Sequence, residues 1–197
     1  LHLASPADIL TPAVTKLIPK APDRAWLDVD LGALVRNARR YQALFGHPLL
    51  PMVKANGYGL GAVAVTQALE QVDPWGYGVA SVAEGAELRA AGIARPIVVF
   101  TPLLASAEEL AAIRSAGLRP VIGDLMALDA WLASGGGAFH VEIDTGMSRS
   151  GFRWHDEESL QALQQRLAQA PGWEGIFTHF HSADTDSNSA AEQVERF

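Results

Sequence analysis

Three short stretches of the chain carry residue types whose spacing can do chemistry. The first runs Pro51-Met52-Val53-Lys54-Ala55-Asn56-Gly57-Tyr58-Gly59-Leu60-Gly61. Lys54 closes an apolar run, and period-two alternation puts it on the face shared by Leu50 and Met52. A lysine facing a low-dielectric interior is disfavoured as a cation, and the free amine is the nucleophile of Schiff-base chemistry. The glycines that follow let a backbone approach a phosphate closely. The same residues also suit a lysine that snorkels out of a strand end into a glycine-rich turn, so both readings stay open here. A dinucleotide fingerprint is a further match, because Gly59-x-Gly61-x-x-Ala64 fits the looser form of that pattern. It fails on context, since the next apolar run ends at Ala80-Ser81 and not at an acidic residue that would hold a ribose.

The second stretch, Asp144-Thr145-Gly146-Met147-Ser148-Arg149-Ser150-Gly151, sets an arginine on a glycine-flanked loop. A planar guanidinium there suits a carboxylate, phosphate or phenolate oxygen. The plain alternative is a solvated arginine paired with Asp144. The third stretch is Thr178-His179-Phe180-His181-Ser182-Ala183-Asp184. His-x-His with a later Asp is how some metal-dependent barrel hydrolases begin a site, but that reading needs ligands from other strand ends, and none of those offers a His. A single imidazole packed flat against an aromatic cofactor needs no second ligand.

Each stretch follows a short apolar run, and those runs recur with amphipathic segments between them. The strand candidates are Ala25–Asp28, Leu49–Lys54, Gly76–Ala80, Pro96–Phe100, Arg119–Ile122, Phe139–Ile143 and Gly175–Thr178. Several are almost continuously hydrophobic, as parallel strands covered on both faces are. Helix signals lie between them. Ser81 with Glu84 and Ser106 with Glu109 have capping-box spacing, Asp30 and Asp124 can cap the helices that follow them, and Gly92 and Gly117 sit at expected left-handed ends. A further helix is expected around Glu157 to Ala170, ending at Pro171-Gly172.

This alternation predicts an α/β fold with parallel strands, either an open doubly wound sheet or a TIM-type (β/α)8 barrel. A barrel takes about 250 residues. At 197 residues the chain would be a barrel apparently truncated after its seventh strand. In both architectures ligands bind at the C-terminal ends of strands, where all three stretches fall.

Composition narrows the classes. Fifteen Lys and Arg against 22 Asp and Glu leave a net charge of −7, which offers no electrostatic footprint for nucleic acid. With no Cys, disulfides, thiolate metal sites and thiol nucleophiles are excluded, and a cytoplasmic setting is expected. No apolar run approaches the roughly 20 residues of a membrane helix, so no membrane partner is expected. Residues 1–23 read as a tail or linker, and 24–197 as the barrel domain.

These motifs together resemble the alanine racemases. Val53 to Gly61 looks like that family's pyridoxal-phosphate signature, Arg24 to Leu34 like its first strand and helix, and Tyr77 to Gly92 like its third unit. Asp144 to Gly151 looks like its arginine loop, and Phe177 to Asp184 like its histidine strand. The likeness covers nearly everything from Arg24 to Phe197, in order. It implies a TIM-type barrel that binds pyridoxal 5'-phosphate, followed by a C-terminal β domain absent from this chain, in a bacterial cytoplasmic homodimer. It implies a Schiff base to Lys54, with Lys54 also the catalytic base facing the α-hydrogen of the D-enantiomer. Tyr58 would bond the cofactor phosphate, His179 would pack beside the pyridine ring, and Arg149 would address the phenolic oxygen and the substrate carboxylate. Met147, on the same loop, would help bind substrate. No metal is implied.

The implied reaction interconverts L-alanine and D-alanine, supplying D-alanine as a peptidoglycan precursor. Two departures from the family pattern stand out. Many members carry a carbamylated lysine seven residues before the arginine, where this chain has Glu142, a carboxylate on a shorter stem. The family's opposing base is a tyrosine from the partner's C-terminal domain, and none of Tyr41, Tyr58 and Tyr77 lies in such a context. These 197 residues alone are therefore expected to be inactive. The alternatives are a non-catalytic pyridoxal-phosphate-binding barrel, a serine or broad-specificity racemase, and, more remotely, the metal-dependent hydrolase.

Overall fold

Local signals set most element boundaries in the computed structural model, which describes residues 27–197. The expected tail over 1–23 lies outside the described residues, as does the first half of the Ala25–Asp28 strand candidate, whose remaining Leu27 and Asp28 have no regular structure. Asp30 accepts the Ala33 amide at 2.9 Å and starts α1 (Leu31–Phe45), which ends at a left-handed Gly46. After the short element α2 (Lys54–Tyr58) comes α3 (Ala62–Leu69). The box of Ser81 and Glu84 opens α4 (Val82–Ala90). Ser106 opens α5 (Ala107–Ser115), but Glu109 turns its carboxylate to the amides of Leu104 and Ala105, so only half of the expected box forms there. Asp124, Asp156 and Asp186 cap α6 (Leu125–Ala133), α7 (Glu157–Leu167) and α8 (Ser187–Arg196).

The strands are β1 (Tyr77–Val79), β2 (Ile97–Pro102), β3 (Arg119–Ile122), β4 (Phe139–Asp144), β5 (Phe152–Arg153) and β6 (Trp173–Phe177). All pairings are parallel: β1 with β2, β2 with β3, β3 with β4, and β4 with both β5 and β6. From β1 to β4 neighbours follow chain order with a helix between each pair, and β6 joins β4 after the short β5 and α7, which is the progression of a TIM-type barrel, and the described strands form an arc of it. The expected strand Leu49–Lys54 is reduced to one parallel bridge, Met52 to Gly78. Two residues that patterning did not mark, Phe152 and Arg153, add the short strand β5.

Register sorts the side chains. Tyr77 pairs with Ile97, Val79 with Val99 and Ile122 with Val141, and all of these are buried against the helices. Beneath them Leu128 and Trp131 of α6 are also fully buried, and side chains of this kind each contribute roughly 1.5–3 kcal/mol on burial. The opposite face, carrying Gly78, Val98, Phe100, Arg119, Val121, His140, Glu142 and Phe177, lines the barrel interior. Phe100 meets Phe177 edge-on there at 5.2 Å. Gly78 is needed at that level, because a Cβ would overlap both Met52 and the Phe100 ring.

The end of the arc away from the three sequence motifs is closed by charge. Arg119 forks onto Glu174 at 2.5 and 3.0 Å, His140 Nε2 stands 3.5 Å from the same carboxylate, and Trp75 packs edge-on against His140. Arg89 is scaffold too. Its guanidinium donates to the carbonyls of Ile93, Arg95, Ala116 and Gly117, tying the C-terminal ends of α4 and α5 together.

Candidate active site

Lys54 stands at the mouth of the arc, but it does not close a regular strand. Three backbone bonds (Trp75 to Leu49, Gly78 to Pro51 and Val53 to Gly78) hold the approach, and the chain then winds left-handed. Ala55 (φ 50°, ψ 49°), Asn56 (53°, 48°) and Gly57 (64°, 37°) are followed by Tyr58 at φ 56°. This conformation costs about 1–2 kcal/mol for each residue with a Cβ, and Ala55, Asn56 and Tyr58 all bear one. Gly57 is buried beneath, where a Cβ would come within 3.2 Å of the Ala62 backbone. Two side chains hold the turn: Asn56 Oδ1 accepts the Ala62 amide at 2.9 Å, and Glu84 Oε1 accepts the Ala55 amide at 2.8 Å. The turn leaves Lys54 half-buried with its Nζ 6.0 Å from the Tyr58 ring centre, and leaves Tyr58 exposed.

The arginine loop is folded by Asp144. Its Oδ1 accepts the amides of Gly146 (3.0 Å) and Ser148 (2.9 Å), and among the described residues no ion pair joins it to Arg149. The alternative of a pairing between those two therefore does not form, because local turn bonds claim the carboxylate. Gly151, at φ 105°, brings the chain back against β4, where a Cβ would lie 2.9 Å from both the Asp144 nitrogen and the Glu142 carbonyl oxygen. That return creates β5. Arg149 is left exposed, and Met147 half-buried, on the loop between.

Glu142 points into the barrel beneath the loop. It is 3% exposed and accepts the Ser150 hydroxyl at 2.7 Å. Burial pushes its carboxyl above the ordinary glutamate range, against the opposing pull of the Ser150 bond and the Arg149 charge. His179 follows β6, and its pKa is held down first by burial and then by the charges of Arg149 and Lys54. His179 thus lies within electrostatic reach of both Lys54 and Arg149, which come from two other stretches. Glutamine and threonine side chains tie the Arg149 loop to the strand end that carries His179. Thr145 and Thr178 meet hydroxyl to hydroxyl, and the buried Gln193 of α8 bonds Thr145 and the His179 carbonyl.

The other candidates separate from this group. Tyr77 is core, its hydroxyl lying 2.7 Å from Glu70 Oε1 and 3.0 Å from the Thr66 carbonyl, and its pKa is raised by burial and by Glu70. Tyr41 stacks on Phe45 along α1. His181 bonds Ser182 at 2.6 Å, and among the described residues no three His, Asp or Glu side chains are grouped to hold a metal ion. The hydrolase reading has no ligand set among them.

The model of the alanine racemase N-terminal domain family matches residues 29–197. The chain belongs to the alanine racemase N-terminal domain family. Alanine racemase of Synechocystis sp. is 35% identical over 188 residues, a match covering 88% of this chain and 48% of that relative. Alanine racemase from E. faecalis superposes with a TM-score of 0.74 at 29% identity, covering 86% of this chain and 47% of that one. Alanine racemase from Bacillus anthracis with bound L-Ala-P gives a TM-score of 0.76 at 25% identity, over 90% of this chain and 48% of that one. The chain spans about half the length of the relatives it matches. Within this alanine racemase domain, two of the polar supports that patterning missed are long-range: Glu84 reaches Ala55, 29 positions away, and Gln193 reaches Thr145, 48 positions away.

Proposed function

We propose that this chain is the pyridoxal-phosphate-binding barrel of an alanine racemase. The reading is supported by the family match and by the place of Lys54, Arg149 and His179 after parallel segments of the wall, where the charges of Lys54 and Arg149 both act on His179. The donor set fits the cofactor. An amine for an aldehyde, a neutral flat imidazole, a phenol and a guanidinium together match an anionic aromatic aldehyde, and the turn at 55–59 presents backbone without side-chain bulk at Gly59, where a Cβ would meet nothing within 4 Å.

When bound, pyridoxal phosphate supplies an electron sink that makes the α-proton of an amino acid removable. Lys54 is the residue that would hold it covalently, and its amine would be the base for the α-proton on one face. Tyr58, at the far end of the same turn, would bond the phosphate. Arg149 would orient the substrate carboxylate with its planar fork, with Met147 beside it. His179 stays neutral near pH 7 because burial and two cations oppose its protonation, so it would pack on the ring without adding charge. Delivery of a proton to the opposite face needs a second acid. None of the chain's three tyrosines is placed for it, and a tyrosine of a partner subunit's C-terminal domain completes the proposal. L-Ala-P in the Bacillus anthracis relative points to alanine as the substrate here. The D-alanine formed would serve cell-wall synthesis.

The test is α-proton exchange in the full-length protein. With added pyridoxal phosphate in D2O, L-alanine should acquire α-deuterium and yield D-alanine, and Lys54→Ala should abolish both. Cofactor capture without exchange, for alanine or serine, would contradict the racemase reading and favour a non-catalytic binding barrel.

A further inference from the structure

The capping box at the start of α4 is asymmetric. A box needs the glutamate to reach back to the amide of its own cap residue. Glu84 does this with Oε2, which lies 3.2 Å from the Ser81 nitrogen and 2.7 Å from that of Ala80. Its other oxygen takes no part in the cap. Oε1 instead accepts the amide of Ala55 at 2.8 Å, from a residue 29 positions away.

That amide belongs to the peptide plane joining Lys54 to Ala55. Fixing the plane sets ψ of Lys54 and φ of Ala55, and with them the direction in which the lysine side chain leaves the backbone. Ala55 is also the first left-handed residue of the turn (φ 50°), so the bond acts where the winding changes hand. The far end is tied separately through Asn56 and Ala62. The platform under Glu84 is firm, because Arg89 on the same helix anchors it to four carbonyls. A functional group is held in register by a neighbour on a rigid element in this way.

We propose that Glu84 is a positioning residue for Lys54, its carboxylate clamping the Ala55 amide so that the left-handed turn presents the lysine amine and Tyr58 at a fixed spacing. The proposal rests on the reading above in that Lys54 is the working amine. Its structural half, the clamp, stands on the geometry alone.

The experiment compares Glu84→Ala, Glu84→Gln and Ser81→Ala with the wild type in the full-length protein. Circular dichroism first establishes that each variant is folded. Amide hydrogen exchange over 54–58 is then followed alongside capture of pyridoxal phosphate on Lys54, trapped by borohydride. Loss of a charge-assisted bond of this kind should speed exchange in the turn by about 10-fold or more in Glu84→Ala, with exchange in β2 and β4 unchanged. Half-saturation for capture should rise by a similar factor. Glu84→Gln, which keeps one carbonyl oxygen, should recover part of both effects. Ser81→Ala weakens the cap without touching the Ala55 bond and should leave the turn as it is. Unchanged exchange in Glu84→Ala would overturn the proposal. So would equal acceleration in Ser81→Ala, which would trace the effect to fraying of α4. If the wild type itself captures nothing on Lys54, the functional reading fails, and the exchange comparison still decides for or against the clamp.

Discussion

The hydroxyls of Thr145 and Thr178 lie 2.7 Å apart, joining the loop that carries Arg149 to the strand end that carries His179. Gln193 secures the junction from α8. Its Nε2 donates to Thr145 Oγ1 at 3.1 Å and to the His179 carbonyl at 3.0 Å, while its Oε1 accepts the His181 amide at 3.1 Å. The side chain is fully buried, and its bond to the equally buried Thr145 is shielded from water.

Gln193→Leu keeps much of the volume but leaves these polar groups without their partner. It should lower unfolding free energy by about 2–3 kcal/mol, as stranded buried groups do. Urea denaturation checks this. A loss below about 0.5 kcal/mol, the scale of an ordinary surface change, would mean that Gln193 does not hold the junction.

Glu142→Gln isolates the cost of a buried carboxylate. Burial raises the pKa of Glu142, so the folded state binds the proton more tightly than the unfolded state. Its stabilising contribution is present below the unfolded value of about 4.5 and is lost as pH rises through the higher folded value. The glutamine variant keeps an acceptor for Ser150 and carries no charge. It should melt higher than wild type at pH 8, and the advantage should vanish near pH 4. An advantage that persists undiminished at pH 4 would contradict the assignment.

Acid should destabilise the fold through its histidines. His140 is lowered by burial and by Arg119 against an opposing Glu174, and His179 by burial, Arg149 and Lys54. Between the unfolded value of about 6.5 and the lower folded values the unfolded chain holds more protons, so stability falls as pH drops through that window. Each such proton steepens the fall by at most about 1.4 kcal/mol per pH unit. His140→Phe retains a ring against Trp75 and removes one proton, and should flatten the dependence between pH 6.5 and 5. An unchanged slope would show that His140 protonates freely in the folded state.

The helix starts were legible in the sequence because a cap is a local event. Asp30, Ser81 and Asp124 each bond an amide three residues on, and spacing alone reveals that. The wall of parallel strands was legible from its apolar runs. The Lys54 segment was misjudged as a regular strand because alternation says nothing about handedness. What turns the chain there is a left-handed winding held by Glu84, a residue whose capping role was visible and whose second bond was not. β5 escaped notice because two residues carry no period, and it exists only where Gly151 folds the loop onto β4. Glu109 satisfies the same S-x-x-E spacing as Glu84 yet bonds Leu104 and Ala105, since tertiary geometry decides where a long carboxylate reaches.

That Lys54 carries the cofactor can be tested directly, and within these 197 residues the label has to be told apart from Lys16 and Lys20 alone. The direct measurement is to add pyridoxal phosphate to the full-length protein, reduce with borohydride, digest, and locate the retained pyridoxyl mass by peptide mapping. A visible absorption band lost on reduction is expected, with the label on the peptide containing Lys54 and no label in Lys54→Ala. Label spread over other lysines, or a band that survives Lys54→Ala, would contradict it.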